Sequence, residues 1–330
     1  MTQVTPSKTV ASEQMAGAAV LRSAKIFVAG HRGMVGSAIL RRLTRGGYDN
    51  VVTRTHSELD LMNQQAVLGF MMDERPHYVF MAAAKVGGIQ ANNVYRGEFI
   101  YNNLMIEANM IDSCFRAGVE RAFFLGSSCI YPRDCPQPIR EDYLLTGPLE
   151  ASNEPYAIAK IAGVKMCEAY NSQYGTQFVS MMPTNLYGPN DNYDLATSHV
   201  LPALLRKTYE AKQSGASEVT VWGSGNPRRE FMHVDDLADA CVFMLEAGPK
   251  GGLFNVGTGS DVTIRELAEL IGRQLSYHGS WHFDSSKPDG TPRKLLDVSR
   301  LERLGWKARI SLESGIASLL DDVERAVKAR

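Results

Sequence analysis

Cysteine is scarce in this 330-residue chain, and its five copies (Cys114, Cys129, Cys135, Cys167, Cys241) form no C-x-x-C pair. An odd set without close pairs argues against a disulfide framework or a cysteine zinc site, and fits a reducing cytoplasmic setting. No apolar run approaches the roughly 20 residues needed to span a bilayer, so no membrane contact is expected. Neither charge sign is in surplus: 35 Lys and Arg face 36 Asp and Glu. A net charge of −1 gives no global pull toward nucleic acid, yet leaves room for a local basic patch around a phosphorylated ligand. Internal repeats and low-complexity tracts are also missing. Residues 1–23 hold only a short apolar stretch, Met15 to Leu21, behind Glu13. That segment reads as a mobile extension, not a signal peptide.

What is present is an alternation. Lys25-Ile26-Phe27-Val28-Ala29 reads as a buried strand, Met34 to Arg45 as a helix with Val35, Ile39 and Leu43 on one face, and residues 50–53 as a second strand. Helical spacing recurs at 66–75, 102–117 and 157–174, with strand-like runs at 78–81, 121–126 and 177–182. Such β-α-β alternation predicts an α/β fold with a Rossmann-type, doubly wound parallel sheet. Beyond Tyr187 the pattern loosens, with Gly, Pro and Asp breaking up short elements. The expected layout is a cofactor domain at 24–187 and a smaller C-terminal α/β substrate lobe at 188–330, with 233–246 returning to the first domain.

Gly30-His31-Arg32-Gly33-Met34-Val35-Gly36 lies between the first strand and the first helix. Glycines there permit a tight turn, and the helix N-terminus offers free N–H groups to a pyrophosphate. An NAD site usually has an acid at the tip of the second strand; here the tip reads Val52-Thr53-Arg54-Thr55-His56. Arg32 and Arg54 would suit a 2′-phosphate, which favours NADP(H), although two solvated surface arginines would look the same.

Tyr156 and Lys160 are four apart on a helix and share a face. An ammonium beside a phenol favours the phenolate and is expected to lower its pKa. Ser127, at the C-terminal edge of what is counted as the fifth strand, can hold the same substrate oxygen. Cys129 is two residues further on; in an extended segment it would face the same pocket, or else be a small packed thiol. His199, at an expected helix start, is either a second acid/base group or a capping residue.

These residues resemble the extended short-chain dehydrogenase/reductase superfamily, from Lys25 almost to the end of the chain. Ala82-Ala83-Ala84, after what is counted as the fourth strand, and the run Arg229 to Asp236 fit it too. Within that superfamily the runs 30–37, 82–89, 126–132, 153–163, 183–189 and 287–298 are similar to the epimerase/reductases that act on GDP-4-keto-6-deoxymannose. The resemblance implies epimerisation at C3 and C5 by Cys129 and His199, then reduction at C4 with Ser127, Tyr156 and Lys160. It implies NADP(H) contacts from Gly30, Arg32, Gly33, Met34, Val35, Gly36 and Arg54. Ala82, Ala84, Tyr156, Lys160, Pro183 and His199 would complete that cofactor set. For the GDP-sugar it implies Asn185, Lys207, Trp222, Arg229, Asp289 and Lys294, with Trp222 near the base unless it is core packing. Two positions depart from the pattern, Lys207 and His56, where arginines are expected. The helices 102–117 and 157–174 resemble a homodimer interface, although their apolar faces suit internal core equally. A related epimerase or 4-reductase is the alternative enzyme. A 4,6-dehydratase is disfavoured because Ser128 and Cys129 include no acid. A silent dinucleotide-binding regulator need not keep Ser127, Tyr156 and Lys160 together.

Overall fold

Ile26 and Val28 of the first strand join one apolar core, while Phe27 and Ala29 join another. The two-residue period of a strand thus splits one short run between two faces of a sheet. The computed structural model describes residues 22–287 and 289–328. All but the last two residues of the expected extension, 1–23, lie outside the described residues.

In chain order the elements begin β1 (Ile26–Ala29), α1 (Met34–Arg45), β2 (Val51–Val52), α2 (Gln64–Glu74) and β3 (Tyr78–Met81). Next come α3 (Ile89–Val94), α4 (Arg96–Arg116), β4 (Arg121–Leu125), α5 (Glu154–Tyr174), β5 (Phe178–Pro183) and β6 (Asn185–Tyr187). The lobe adds α6 (Val200–Ser214), β7 (Glu218–Trp222), β8 (Arg228–Arg229) and β9 (Phe231–His233). The chain continues with α7 (Val234–Ala247), β10 (Gly252–Val256), β11 (Val262–Thr263) and α8 (Ile264–Leu275). β12 (Ser280–Asp284), β13 (Arg293–Lys294) and the short helices α9 (Ser299–Glu302), α10 (Leu312–Ala317) and α11 (Leu320–Lys328) complete it.

Six parallel strands form the central sheet in the order β10-β5-β4-β3-β1-β2. The apolar residues of α1 and α7 cover one face, and those of α2, α4 and α5 cover the other. Strand order reverses between β1 and β3, which is where open α/β sheets bind ligands. Ala82–Ala84 follow the third strand and Ser127 the fourth, each one strand earlier than the sequence count. The long helix starts at Arg96, six residues before the expected Asn102, and Phe99 of its second turn is already buried. α7 packs beside α1, and β10 adds the sixth strand beyond 233–246. A third core, including Leu204, Val221, Leu267 and Ile316, sits inside the lobe. α8 opens with a capping box, Thr263 and Glu266 each bonding the other's backbone N–H.

Candidate active site

Gly30 adopts φ +82°, and a Cβ there would lie 2.8 Å from the Ala83 backbone. A Cβ on Gly36 would stand 2.2 Å from the Gly30 carbonyl. Those two glycines are therefore demanded by the close approach of β1, β3 and α1. Gly33 meets only ordinary contacts; it is the N-cap of α1, without a side-chain cap and without an acid in the first turn. The N–H groups around Met34 and Val35 are thus left for an anion, and a dinucleotide pyrophosphate fits.

Arg54 is less free than its sequence suggested. Its guanidinium bonds Glu74 at 2.7 Å and the Thr53 carbonyl at 2.8 Å, and lies 5.0 Å from the Phe70 ring centroid. Glu74 also pairs with Lys25 at 3.1 Å. Glu58, held by the Thr55 backbone and hydroxyl, has its carboxyl kept low by those bonds, with smaller help from Arg54 and Arg32. Both arginines therefore stand in one small basic and acidic cluster with an open side. His56 lies 3.9 Å from Asp60 and is highly exposed.

Ser127 is extended, but the chain then turns, with Ser128–Ile130 forming a single 3-10 turn. Cys129 therefore does not share a strand face with Ser127, as an extended segment would require. Instead its backbone N–H donates to Ser127 Oγ at 3.3 Å. The Cys129 side chain is buried, and burial raises its pKa. Lys294 opposes that rise most, followed by Ser127 and Lys160.

Tyr156 lies edge-on to Phe99, with ring centroids 6.2 Å apart. Its pKa is not lowered. Burial pushes the phenol well up, and Cys129 and Glu107 push the same way. Lys160, which is 1% exposed, does not offset that burial. Its Nζ is 2.9 Å from Glu107 Oε1 and donates to the Leu125 carbonyl at 3.1 Å, while the Tyr156 ring centroid is 5.8 Å away. Glu107 was missed in the sequence. The available signal was an acid on the buried face of α4, beside Asn103, Met110 and Ile111.

His199 is the N-cap of α6, yet its ring makes no capping bond. Its side chain is solvent-exposed, with protein packed around the ring. That partial desolvation, and then Lys294, lower its pKa, which favours the neutral imidazole. Gly88 keeps the preceding segment close: its N–H donates to the Thr197 carbonyl at 2.9 Å, and a Cβ there would lie 2.7 Å from the Ser198 carbonyl.

On the lobe, β8 and β13 pair with Lys294 opposite Arg229. Burial lowers the pKa of both, most strongly opposed by Cys129 for Lys294 and by Asp289 for Arg229. The Arg229 guanidinium also donates to the Asp289 carbonyl at 3.4 Å. Asp289 in turn accepts from the Ser224 N–H at 2.7 Å and its hydroxyl at 2.9 Å. Trp222 is 55% exposed because β7 alternates and spends Val219 and Val221 on the core, which rules out core packing for it. The Lys207 and Lys287 ammonium groups lie 5.5 and 5.6 Å from its ring centroid. Asn185 donates to the Glu230 carbonyl at 2.8 Å. Glu230 itself is fully buried, and its carboxylate gathers the N–H groups of Thr258, Gly259 and Leu296 at 2.6–2.9 Å. Ala82, Ala84 and Pro183 lie at or just past the ends of β3 and β5.

The arrangement is thus a strand-end serine and thiol, a half-buried tyrosine, and a neutral histidine, with a cationic wall beside them. A sequence profile of the NAD dependent epimerase/dehydratase family matches residues 26–257. The chain is 57% identical to GDP-L-fucose synthase 1 of Arabidopsis thaliana, covering 91% of this chain and 93% of the relative. GDP-L-fucose synthase of Escherichia coli (strain K12) is 55% identical over 89% of this chain and 94% of its own. Among solved structures, a GDP-L-fucose synthetase from Naegleria fowleri bound to NADP superposes with a TM-score of 0.83. It is 27% identical and covers 92% of this chain and 95% of that one.

Proposed function

The chain belongs to the NAD dependent epimerase/dehydratase family, and from that premise we propose that it converts GDP-4-keto-6-deoxymannose to GDP-L-fucose. Epimerisation at C3 and C5 precedes reduction of the C4 ketone. Cys129 carries this reading: a plain reductase needs Ser127, Tyr156 and Lys160, but not a buried thiol on the residue whose backbone N–H donates to the serine hydroxyl at 3.3 Å.

The ketone acidifies the C–H bonds on either side of it. At rest the thiol and imidazole are both neutral. Moving one proton from Cys129 to His199 creates base and acid together without changing net protonation. Cys129 then removes a proton at C3 or C5, and His199 returns one from the opposite face. Ser127 and Tyr156 hold the enolate oxygen between those steps. NADPH, when bound between the glycine loop and the strand ends, supplies hydride to C4. Tyr156 protonates the resulting alkoxide.

Gly30, Gly33, Met34, Val35 and Gly36 bind the pyrophosphate, Arg32 and Arg54 the 2′-phosphate, and Ala82, Ala84, Pro183 and His199 border the cofactor. Trp222 stacks on the nucleobase, and Arg229, Lys294 and Lys207 face the diphosphate. Asn185 and Asp289 orient the sugar nucleotide. We assign residues 24–187 to the cofactor domain and 188–330 to the substrate lobe, the return at 233–246 continuing through β10. Homodimerisation through α4 and α5 is supported by Tyr101 and Ile158, which are exposed on helices whose inner faces are already core. A cytoplasmic setting is supported by five free cysteines. No helix among the described residues is long and apolar enough to cross a membrane.

Incubating the protein with the keto sugar nucleotide in D₂O tests the reading. Deuterium enters at C3 and C5 without NADPH, and Cys129→Ser slows that entry at least 100-fold while leaving NADPH binding within twofold. NADPH consumption without exchange would reduce the protein to a simple 4-reductase.

A further inference from the structure

Lys160 is the cation that a Tyr-x-x-x-Lys pair brings beside the phenol, yet here it has a closer partner. Glu107 Oε1 stands 2.9 Å from its Nζ, and both side chains are almost wholly buried. That contact is an ion pair and not an aligned hydrogen bond, and neither carboxylate oxygen has a hydrogen-bond partner. Around them Ala29, Met81, Ala83, Met110 and Phe124 leave no water-sized space. A carboxylate in such a place is costly unless a cation answers it, and Lys160 is the one that does. The pair is neutral overall, so the field of Lys160 at Tyr156 is largely cancelled.

We propose that Glu107 is a positioning residue that holds Lys160 and offsets its charge, keeping Tyr156 in the protonated form that ketone reduction consumes. The proposal deepens the reductase reading above and rests on it for its kinetic consequence. Reduction at C4 leaves an alkoxide. The Tyr156 O–H supplies its proton, one O–H bond breaking as another forms, and the phenolate regains a proton from solvent. An alcohol oxidase of the same design needs the opposite, a phenolate ready to accept. A lysine alone favours the phenolate, and a lysine with its own carboxylate does not.

The surrounding groups agree. Tyr156 is faced by Cys129 from the turn after β4, by Glu107 from α4 and by Lys160 from its own helix, and both acids raise it. Glu107 is faced also by Cys167 of α5, whose thiol burial pushes up to about 12. Lys294 faces Cys129. Gly163 leaves the room that the carboxylate needs, since a Cβ there would sit 2.9 Å from Glu107 Oε2.

Tyr156 can be titrated without any substrate. ¹³Cζ-tyrosine labelling, with Tyr156→Phe to assign the signal, reads its ionisation directly. In the wild-type protein the signal stays that of a phenol through pH 10, and a phenolate forming at or below pH 10 overturns the proposal. In Glu107→Gln, Lys160 is left unopposed and the phenolate appears at least one pH unit earlier than in wild type. The alkaline limb of kcat for C4 reduction then moves down by the same interval, a tenfold loss at a pH on that limb. Deuterium exchange at C3 and C5 at pH 7 stays within threefold, because Cys129 and His199 move the protons and Tyr156, which holds the enolate oxygen, is still a phenol at that pH in the variant. Glu107→Asp, which keeps the charge, restores the wild-type limb. A folded Glu107→Gln protein with an unmoved titration sinks the proposal. Failure of wild-type exchange or reduction sinks the substrate reading instead and leaves the titration result standing.

Discussion

Arg54 shows what a single position discloses and what it hides. Its place at the tip of β2, where an acid would serve NAD, is legible in the local sequence. Its bond to Glu74 is not, because a partner twenty residues away comes close only once α2 packs on the sheet. Glu107 and Lys160 were hidden for the same reason, being 53 positions apart in sequence. The Arg54–Glu74 pair sits at the surface, where such a bond is worth little and is readily exchanged for a phosphate. Arg54→Ala is therefore expected to weaken NADPH at least tenfold and NADH less than twofold, read by fluorescence titration. Glu74→Gln releases the guanidinium and tightens NADPH several-fold. Equal losses for both nucleotides in Arg54→Ala would remove Arg54 from the 2′-phosphate site.

Elements were legible where propensity and packing agree. The strands β1, β3, β4 and β5 and the helices α1 and α5 lie within a few residues of the expected spans, because each has both the right period and a core to bury it in. The short strands of the lobe were not readable: β8, β11 and β13 are two residues each and exist through their pairing. The turn at Ser128–Ile130 also escaped the sequence, since nothing in Ser-Ser-Cys-Ile distinguishes a strand end from a 3-10 turn. The strand–loop–helix unit at β1 and α1 invites the sharpest element-level test. Gly36→Ala drives a Cβ into the Gly30 carbonyl, so the turn must open and the α1 N-terminus must swing. Overpacking of this kind costs about 1–3 kcal/mol. The melting temperature falls, and NADPH affinity drops at least tenfold. Gly69→Ala in α2, with nothing near its Cβ, is the control: it leaves NADPH affinity unchanged and, by gaining helix propensity of about 1 kcal/mol, does not lower the melting temperature. Unaltered NADPH affinity in Gly36→Ala would show that the N–H groups of α1 do not bind the cofactor.

At the scale of the molecule, the segment after β6 ties α1 of the cofactor domain to α6 of the lobe. Asn190 donates to Ser37 of α1 at 3.0 Å, and Arg206 of α6 donates to the Tyr193 carbonyl at 3.0 Å. Between those anchors Asp191 is held inside. One carboxylate oxygen accepts the Asn192 N–H at 2.7 Å, and the other is buried without a partner. Burial raises its pKa to about 7, opposed only by that one backbone bond. An unfolded aspartate titrates near about 3.9. Between those values the folded protein binds a proton that the unfolded chain has lost, so stability declines as pH rises from 4 to 7 and then levels off. The full effect of Asp191 is thus a destabilisation present above pH 7 and relieved in acid. Asp191→Asn has no charge to bury. It is expected to gain about 2 kcal/mol over wild type at pH 8, the unscreened shift being larger, and to gain almost nothing near pH 4. Urea unfolding of both proteins at a series of pH values isolates this difference, because every other titrating group is common to the two. Parallel stability curves for the two proteins from pH 4 to 8 would mean that solvent reaches the carboxylate and that the loop carries no buried charge.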